Sequence, residues 1–228
     1  MRLLALDTAT EACSVALDAD GREFGRWVEA PREHGDRLLG MIDAVLAEAG
    51  LAKTDLDAVA YGRGPGAFTG VRIAVAAVQG IAYALDCPVI PVSTLAALAQ
   101  GAHRRHGATR VLAAIDARMG EVYWGAWHAD DGGVMQPVTA EAVAKPEAVE
   151  WPGGAGWHGT GTGWEAHRDV LERAAGDRLA ANLGRALPDA RDMLPLARAA
   201  RARGETVDAA HALPVYLRDR VADRPRQR

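Results

Sequence analysis

The chain has 228 residues, a formal net charge of −4, 49% hydrophobic and 25% charged residues, and two cysteines. This length holds one large domain or two small ones with a sizeable core. The mild charge gives no reason to expect a nucleic-acid coat or a membrane-surface protein from the whole chain.

No run of about 18 apolar residues reads as a bilayer span, and Met1-Arg2 leads into a strand without a signal-peptide pattern. The expected setting is therefore cytoplasmic, with Cys13 and Cys87, both in apolar contexts, read as free buried thiols, the alternative being a single disulfide between them. Arg2 to Ala9 predicts an apolar strand. Cys13 to Asp18 alternates as a second, and the turn Ala19-Asp20-Gly21 leads into a third over Arg22 to Glu29. A helix follows from about His34 to Ala49, with Leu38, Leu39, Ile42, Val45, Leu46 and Ala49 on one side and Gly50 ending it. Leu56 to Leu85 is the organising unit: a strand to Tyr61, a glycine-rich turn over Gly62 to Gly70, and a helix from about Val71, with Thr69 expected as its cap. The strand Pro88 to Val92 comes next, and Ser93 caps a helix from Thr94 to about His103.

A second unit opens in a similar way. Arg110 to Ile115 predicts a strand, Asp116 to Gly120 a turn, and Glu121 to Trp127 an aromatic strand. Ala129 to Trp151 has little pattern. The glycines of Gly153 to Gly163 read as a loop entering a strand, and helices are expected over Trp164 to Ala175 and Asp192 to Arg203. The apolar side of the last helix is too wide for a free tail, and 223–228 reads as a basic, disordered tail. Two units that each begin with a hairpin point to a duplicated fold, divided at about 106/107.

The glycine turn is not a Walker A loop, because no lysine lies near it. Gly62, Gly64 and Ala67 fit G-x-G-x-x-[GA], but the next strand ends at Ser93 where a ribose-binding acid belongs. Tight turning and close helix approach account for these glycines better. Cys13, Cys87, Ser14 and Ser93 stand in no nucleophile signature. His103 and His106 have no third ligand nearby and read as exposed polar residues. Five of the six tryptophans fall between Trp124 and Trp164 and read as the core of the second unit.

MRLLALDTATEACSVAL, GRGPGAFTGVRIAVAAVQGIA, GTGTGW and PVYLRDRVA resemble the bacterial TsaB (YeaZ) family, from the first residue to about Ala222. The resemblance implies an α/β fold of the actin/Hsp70/sugar-kinase (ribonuclease H-like) type, with two β-β-β-α-β-α subdomains, the second reduced, and with the helix over about 192–203 packed back on the first. It also implies a role in forming threonylcarbamoyladenosine next to the anticodon of tRNAs that read codons starting with A. There the family pairs with and activates its paralogue TsaD, which carries the active site, and TsaE joins as an ATPase. TsaD-type proteins bind metal through histidines in the segment that corresponds to Ser93–Ala99, where this chain has no His, Asp, Glu or Cys. No metal, cofactor or catalytic residue is therefore expected here. The superfamily phosphate loop, D-x-G-x-[TS], is altered at Ala9. Asp7, Thr8, Thr10, Asp116, Gly161 and Gly163 are expected as a degenerate nucleotide cleft. The alternative is an enzyme, either a glycoprotease-like metallopeptidase or a small sugar-kinase-like ATPase.

Two predicted helices leave faces too small and apolar for a solvated surface. Gly40, Ala44 and Ala47 lie beside Arg37 and Met41 on the first; Val75, Ala76 and Tyr83 lie beside Arg72 and Gln79 on the second. Small residues let a partner helix approach to ~8–10 Å, and an apolar centre with a polar edge is the anatomy of an interface. These ten residues are the expected surface for TsaD, or for a homodimer when the chain is alone. Contact with tRNA is expected only indirectly, and none with a membrane.

Overall fold

The computed structural model describes residues 1–218; the expected tail over 223–228 lies outside the described residues. β1 (Arg2–Asp7), β2 (Ala12–Ala19) and β3 (Arg22–Glu29) form an antiparallel meander. β4 (Ala58–Gly62) joins β1 in parallel and β5 (Val89–Val92) joins β4, giving the order β3-β2-β1-β4-β5. The second sheet repeats this plan. β6 (Arg110–Arg118), β7 (Glu121–Ala129) and the short β8 (Met135–Pro137) form its meander, with β9 (Ala142–Ala144) also on β7. β10 (Trp157–Thr160) and β11 (Leu179–Asn182) then add in parallel, in the order β11-β10-β6-β7-β8. The α/β class and the duplicated actin-like plan expected from the sequence are the observed architecture.

The helices sort by face. α1 (His34–Ala49) and α2 (Phe68–Leu85) cover one side of the first sheet. α3 (Thr94–His106) and α6 (Ala190–Ala202) lie between the two sheets, α6 against β1, β2 and β5 and α3 against β6, β7 and β8. α4 (Thr162–Ala166) and α5 (Arg168–Ala175) sit on the outer face of the second sheet. Strand alternation directs this layering. On β1, Leu4 and Leu6 face α1 and α2, while Leu3 and Ala5 face α3 and α6. On β6, Val111, Ala113 and Ile115 join the central core, while Leu112 and Ala114 pack outward beneath Trp164 and Leu171.

The reduction of the second unit lies in its helices, not in its strand count. Between β9 and β10, where α1 would recur, there is one 3₁₀ turn at Pro146–Ala148. The helix expected over Trp164 to Ala175 is broken at His167, whose φ of −128° leaves the helical region. Strands β8, β9 and β11, of three or four residues each, are too short to show alternation and were not predicted. Trp124, Trp127, Trp157 and Trp164 are buried as expected.

Local chemistry fixes the element ends. Gly50 (φ 72°) and Gly107 (φ 66°) end α1 and α3 in the left-handed conformation that glycine adopts without strain. The Ser93 hydroxyl accepts from the Ala96 N–H at 3.1 Å and caps α3. α3 is tied to α6 by a buried acid. Arg104 donates to Asp192 at 2.6 and 3.3 Å and Arg105 at 3.1 Å, with Asp192 almost wholly inside. His103, on the same turn, is half-buried with Nδ1 3.1 Å from the Ala108 carbonyl, and His106 is exposed.

α2 meets the length and composition of a bilayer span, with mean hydropathy 1.5 over 18 residues, which the sequence reading did not anticipate. Here Val71, Ala74, Val75, Val78 and Ala82 pack it on the sheet and Arg72 interrupts its outer side, so it is a layer of the α/β sandwich.

Candidate functional site

Two features carry the expected site residues: the outer surface of α1 and α2, and a cleft between the two units. On α1, Arg37, Gly40 and Ala47 are exposed, and Met41 and Ala44 are half-buried. Arg37 is held by Glu33 four residues earlier. On α2, Arg72, Ala76 and Tyr83 are exposed, and Gln79 is half-buried with its Nε2 donating to the Ala212 carbonyl at 3.0 Å. Val75 was expected on this surface and is instead 7% exposed, in the core. The segment around Ala212 packs along α2 beside Val75, where Gln79 one turn on donates to the Ala212 carbonyl, so the buried stripe of α2 is wider than the sheet alone requires. Leu39 errs in the opposite direction: expected inward, it is 58% exposed. Phe68 is 53% exposed and Tyr83 84%, and at Gly40 and Gly80 a Cβ would meet nothing within 4 Å. The surface therefore combines two large apolar side chains, Phe68 and Tyr83, with four small residues, Gly40, Ala44, Ala76 and Gly80, while Leu39 is exposed on another side of α1.

α2 also begins differently from the expectation. Its cap is Ala67, which offers no side-chain bond, and Thr69 lies inside the helix. Tertiary contact replaces the missing cap. The Ala67 N–H donates to the Ala9 carbonyl at 2.7 Å, and the Thr8 hydroxyl donates to the Gly70 carbonyl at 2.7 Å. A Cβ at Gly66 would overlap the Ala9 carbonyl oxygen, and one at Gly70 the Thr8 carbonyl oxygen. The glycines of the turn let α2 sit directly on the β1–β2 turn.

That packing occupies the place of the superfamily's first phosphate loop. Of the six residues expected in a degenerate nucleotide cleft, Thr10 and Asp116 line the cleft of about 740 Å³ between the units, while Asp7, Thr8, Gly161 and Gly163 lie behind its walls. Gly161 (φ 112°) and Gly163 bring the start of α4 against Ala114 of β6, where a Cβ would collide. Asp116 is spoken for: Oδ1 accepts from the Arg118 N–H and Oδ2 from the Arg118 guanidinium, each at 2.9 Å. Asp7 is fully buried, with Oδ1 accepting from the Ala9 N–H at 2.9 Å and Oδ2 from the Thr94 hydroxyl at 3.3 Å. Among the described residues no group of three His, Cys, Asp or Glu side chains could hold a metal ion. Cys13 and Cys87 are free and buried, and desolvation pushes the Cys13 thiol up to about 11, away from the thiolate form that reacts.

Desolvation also pushes the Asp7 carboxyl up to about 6, against the opposing hydrogen bonds from Ala9 and Thr94. An acid raised in the folded state contributes most stability below its unfolded pKa of about 4, loses it as pH rises towards 6, and regains none above. Two pKa units correspond to about 3 kcal/mol. Asp7→Asn removes the charge, its Oδ1 still accepting from the Ala9 N–H and its Nδ2 now donating to the Thr94 hydroxyl oxygen. It is expected to stabilise the chain by about 2–3 kcal/mol at pH 8 and by little at pH 4. Urea unfolding of both proteins across pH 4 to 8 reads the difference directly, and parallel curves would contradict the burial argument.

Comparison with known proteins adds an independent line. A family model described as TsaD, tRNA N6-adenosine threonylcarbamoyltransferase, matches residues 28–225. The tRNA threonylcarbamoyladenosine biosynthesis protein TsaB of Escherichia coli is 51% identical over 97% of this chain and 96% of its own length. The chain belongs to the TsaB (YeaZ) family. The TsaB protein of Haemophilus influenzae is 42% identical over 97% of this chain and 95% of its own length. A solved structure of YeaZ from Pseudomonas aeruginosa, 53% identical, superposes with a TM-score of 0.90 over 95% of this chain and 99% of that one.

Within this TsaB-family chain, the structure brings nine of the ten expected surface residues to the outside or the edge of one helix pair, and removes Val75. The residues missed there are Phe68 and Gly80. Phe68 was hidden by starting the helix at Val71; the apolar Ala67-Phe68 pair inside an otherwise polar turn was the available signal. Also unpredicted is a cluster at the N-terminus of α2: Tyr216 stacks on Phe68 with ring centroids 5.7 Å apart, and the Arg72 guanidinium lies 3.3 Å from the centre of the Phe68 ring.

Proposed function

We propose that this chain is the non-catalytic scaffold subunit of the machinery that transfers a threonylcarbamoyl group to tRNA, and that it works by pairing with and activating the catalytic paralogue TsaD. As a TsaB-family protein it takes part in tRNA threonylcarbamoyladenosine biosynthesis. The finer reading rests on one observation: Phe68 and Tyr83 stand exposed with Ala76 and Gly80 on α2, while Gly40 and the half-buried Ala44 open the outer side of α1. Large apolar side chains between small ones form knobs and holes that a second helix pair can fill. Two helices from each subunit then make a four-helix bundle. The same surface serves a homodimer when TsaD is missing, so the two assemblies compete. TsaE joins the larger complex, and tRNA is held by the partner.

Two further observations support a role without chemistry of its own. The segment Ser93–Ala99 is buried, and all but its cap and Thr94 are apolar. The Ala9 carbonyl and the Asp7 carboxylate, at the place of a phosphate loop, are engaged by Ala67, Ala9 and Thr94. The test is reconstitution: TsaD of the same organism, with its other components and tRNA, assayed for modified adenosine with and without this chain. Modification is expected to depend on the chain, and the chain alone is expected to turn over no ATP. Full activity without it would refute the scaffold reading.

A further inference from the structure

Beyond α6 the chain runs as a strap along the first unit. Val207 pairs with Val89 of β5 in an antiparallel bridge, and the turn Ala209–His211 packs against α2. From there the strap is held by its backbone. The Gln79 Nε2 donates to the Ala212 carbonyl at 3.0 Å, the Tyr61 hydroxyl to the Leu213 carbonyl at 2.9 Å, and the Val215 N–H to the Arg63 carbonyl at 2.8 Å. A Cβ at Gly64 would lie 3.0 Å from the Val215 carbonyl oxygen, so a glycine there leaves the strap its path. Arg218 then anchors it on the second unit, at Glu121.

These contacts fix where the strap stands relative to the outer face of α2. α1 lies over β2 and β3, to one side of α2, and the strap starts at β5, on the other. Helical projection agrees. Ala76 and Gly80 lie mid-face, the half-buried Ile73, Ala77 and Ile81 towards α1, and Phe68, Val75 and Gln79 towards the strap. A helix laid on Ala76 and Gly80 therefore lies between α1 and the strap. On the strap side, Ala212 is buried, but Leu213 and Tyr216 turn outward, 57% and 46% exposed, and Tyr216 continues the Phe68 ring. Arg72 is exposed beside them, its guanidinium over Phe68 and 5.5 Å from the Tyr216 ring centre, and it pairs with no acid among the described residues.

On the scaffold reading above, we infer that the strap is a third element of the partner surface. Leu213 and Tyr216, with Phe68, take the apolar side of a TsaD helix seated on α2, and Arg72 takes a carboxylate of that helix. Two observations select this occupant. The patch is continuous with the outer face of α2, so the partner that covers Ala76 and Gly80 reaches it directly. An unpaired guanidinium backed by two rings also complements an acidic residue at the edge of an apolar helix. The strap is already ordered by its backbone hydrogen bonds, so contact with it adds little ordering cost.

Calorimetry with TsaD of the same organism, on full-length variants, tests the strap apart from the helices. Leu213→Ser and Tyr216→Ser are each expected to weaken the complex about fivefold or more. In Leu213→Ser no hydrogen bond changes, because Tyr61 bonds to the Leu213 carbonyl, so its melting temperature should match that of the parent chain. Arg72→Gln should weaken the complex at low salt, with the difference narrowing as salt rises. Leu39→Ser removes an exposed leucine on another side of α1 and should change nothing. Parental affinity in both strap variants, an equal loss in Leu39→Ser, or an Arg72→Gln difference that persists at high salt would each overturn the inference. Ala76→Arg separates it from the scaffold reading. A complex lost in Ala76→Arg but intact in the strap variants overturns the strap alone; one that also survives Ala76→Arg overturns the helix surface with it.

Discussion

Gly70→Ala is expected to destabilise the protein by about 2–4 kcal/mol, as an overpacked core site does, while Gly80→Ala on the same helix stabilises it by about 0.5–1 kcal/mol. Helix propensity alone gives both changes the same favourable sign, about 1 kcal/mol. The surroundings separate them. At Gly80 a Cβ would stand in open space. At Gly70 it would run into the Thr8 carbonyl oxygen, a backbone atom of the β1–β2 turn that cannot swing aside. The Thr8 hydroxyl also donates to the Gly70 carbonyl, so moving α2 away breaks a buried hydrogen bond. In a chain of this size the loss corresponds to a fall of roughly 5–15 °C in melting temperature. Thermal unfolding of the two variants decides it, and an unchanged or higher Tm for Gly70→Ala would mean that α2 does not rest on the turn as described. Its consequence reaches function, because this contact sets the position of the helix that carries Phe68, Arg72, Ala76 and Tyr83.

Elements whose ends are marked by local chemistry were legible in the sequence. β3 and α1 were predicted with the observed limits, because Ala19-Asp20-Gly21 and Gly50 impose turns that do not depend on the rest of the molecule. The Ser93 cap was legible for the same reason. The start of α2 was not, since the group that satisfies the Ala67 N–H is a carbonyl almost sixty residues away in sequence. Val75 and Leu39 show the limit of helical projection: periodicity says which residues share a side, but only the neighbours of a helix say how wide its buried side is. In the second unit, strands of three or four residues give no periodicity to read, and their pairing with β7 and β10 is decided by the sheet.

The second large effect concerns association. Ala76 is exposed on α2 and Ala44 half-buried on α1, so Ala76→Arg and Ala44→Glu should leave the stability of the isolated chain within about 0.5–1 kcal/mol. In the complex either side chain would place an unpaired charge where the partner's helices close against this surface, at a cost of about 3–5 kcal/mol. That is a loss of about two to four decades in affinity. The effect applies equally to self-association, since one surface serves both assemblies.

Pull-down of TsaD by the folded Ala76→Arg protein, with light scattering on the same sample, is the most direct measurement of this account. Loss of the TsaD complex together with loss of the homodimer, in a variant whose melting temperature matches that of the parent chain, is the predicted result. Retention of both complexes at parental affinity would contradict it and put the partner surface elsewhere on the molecule.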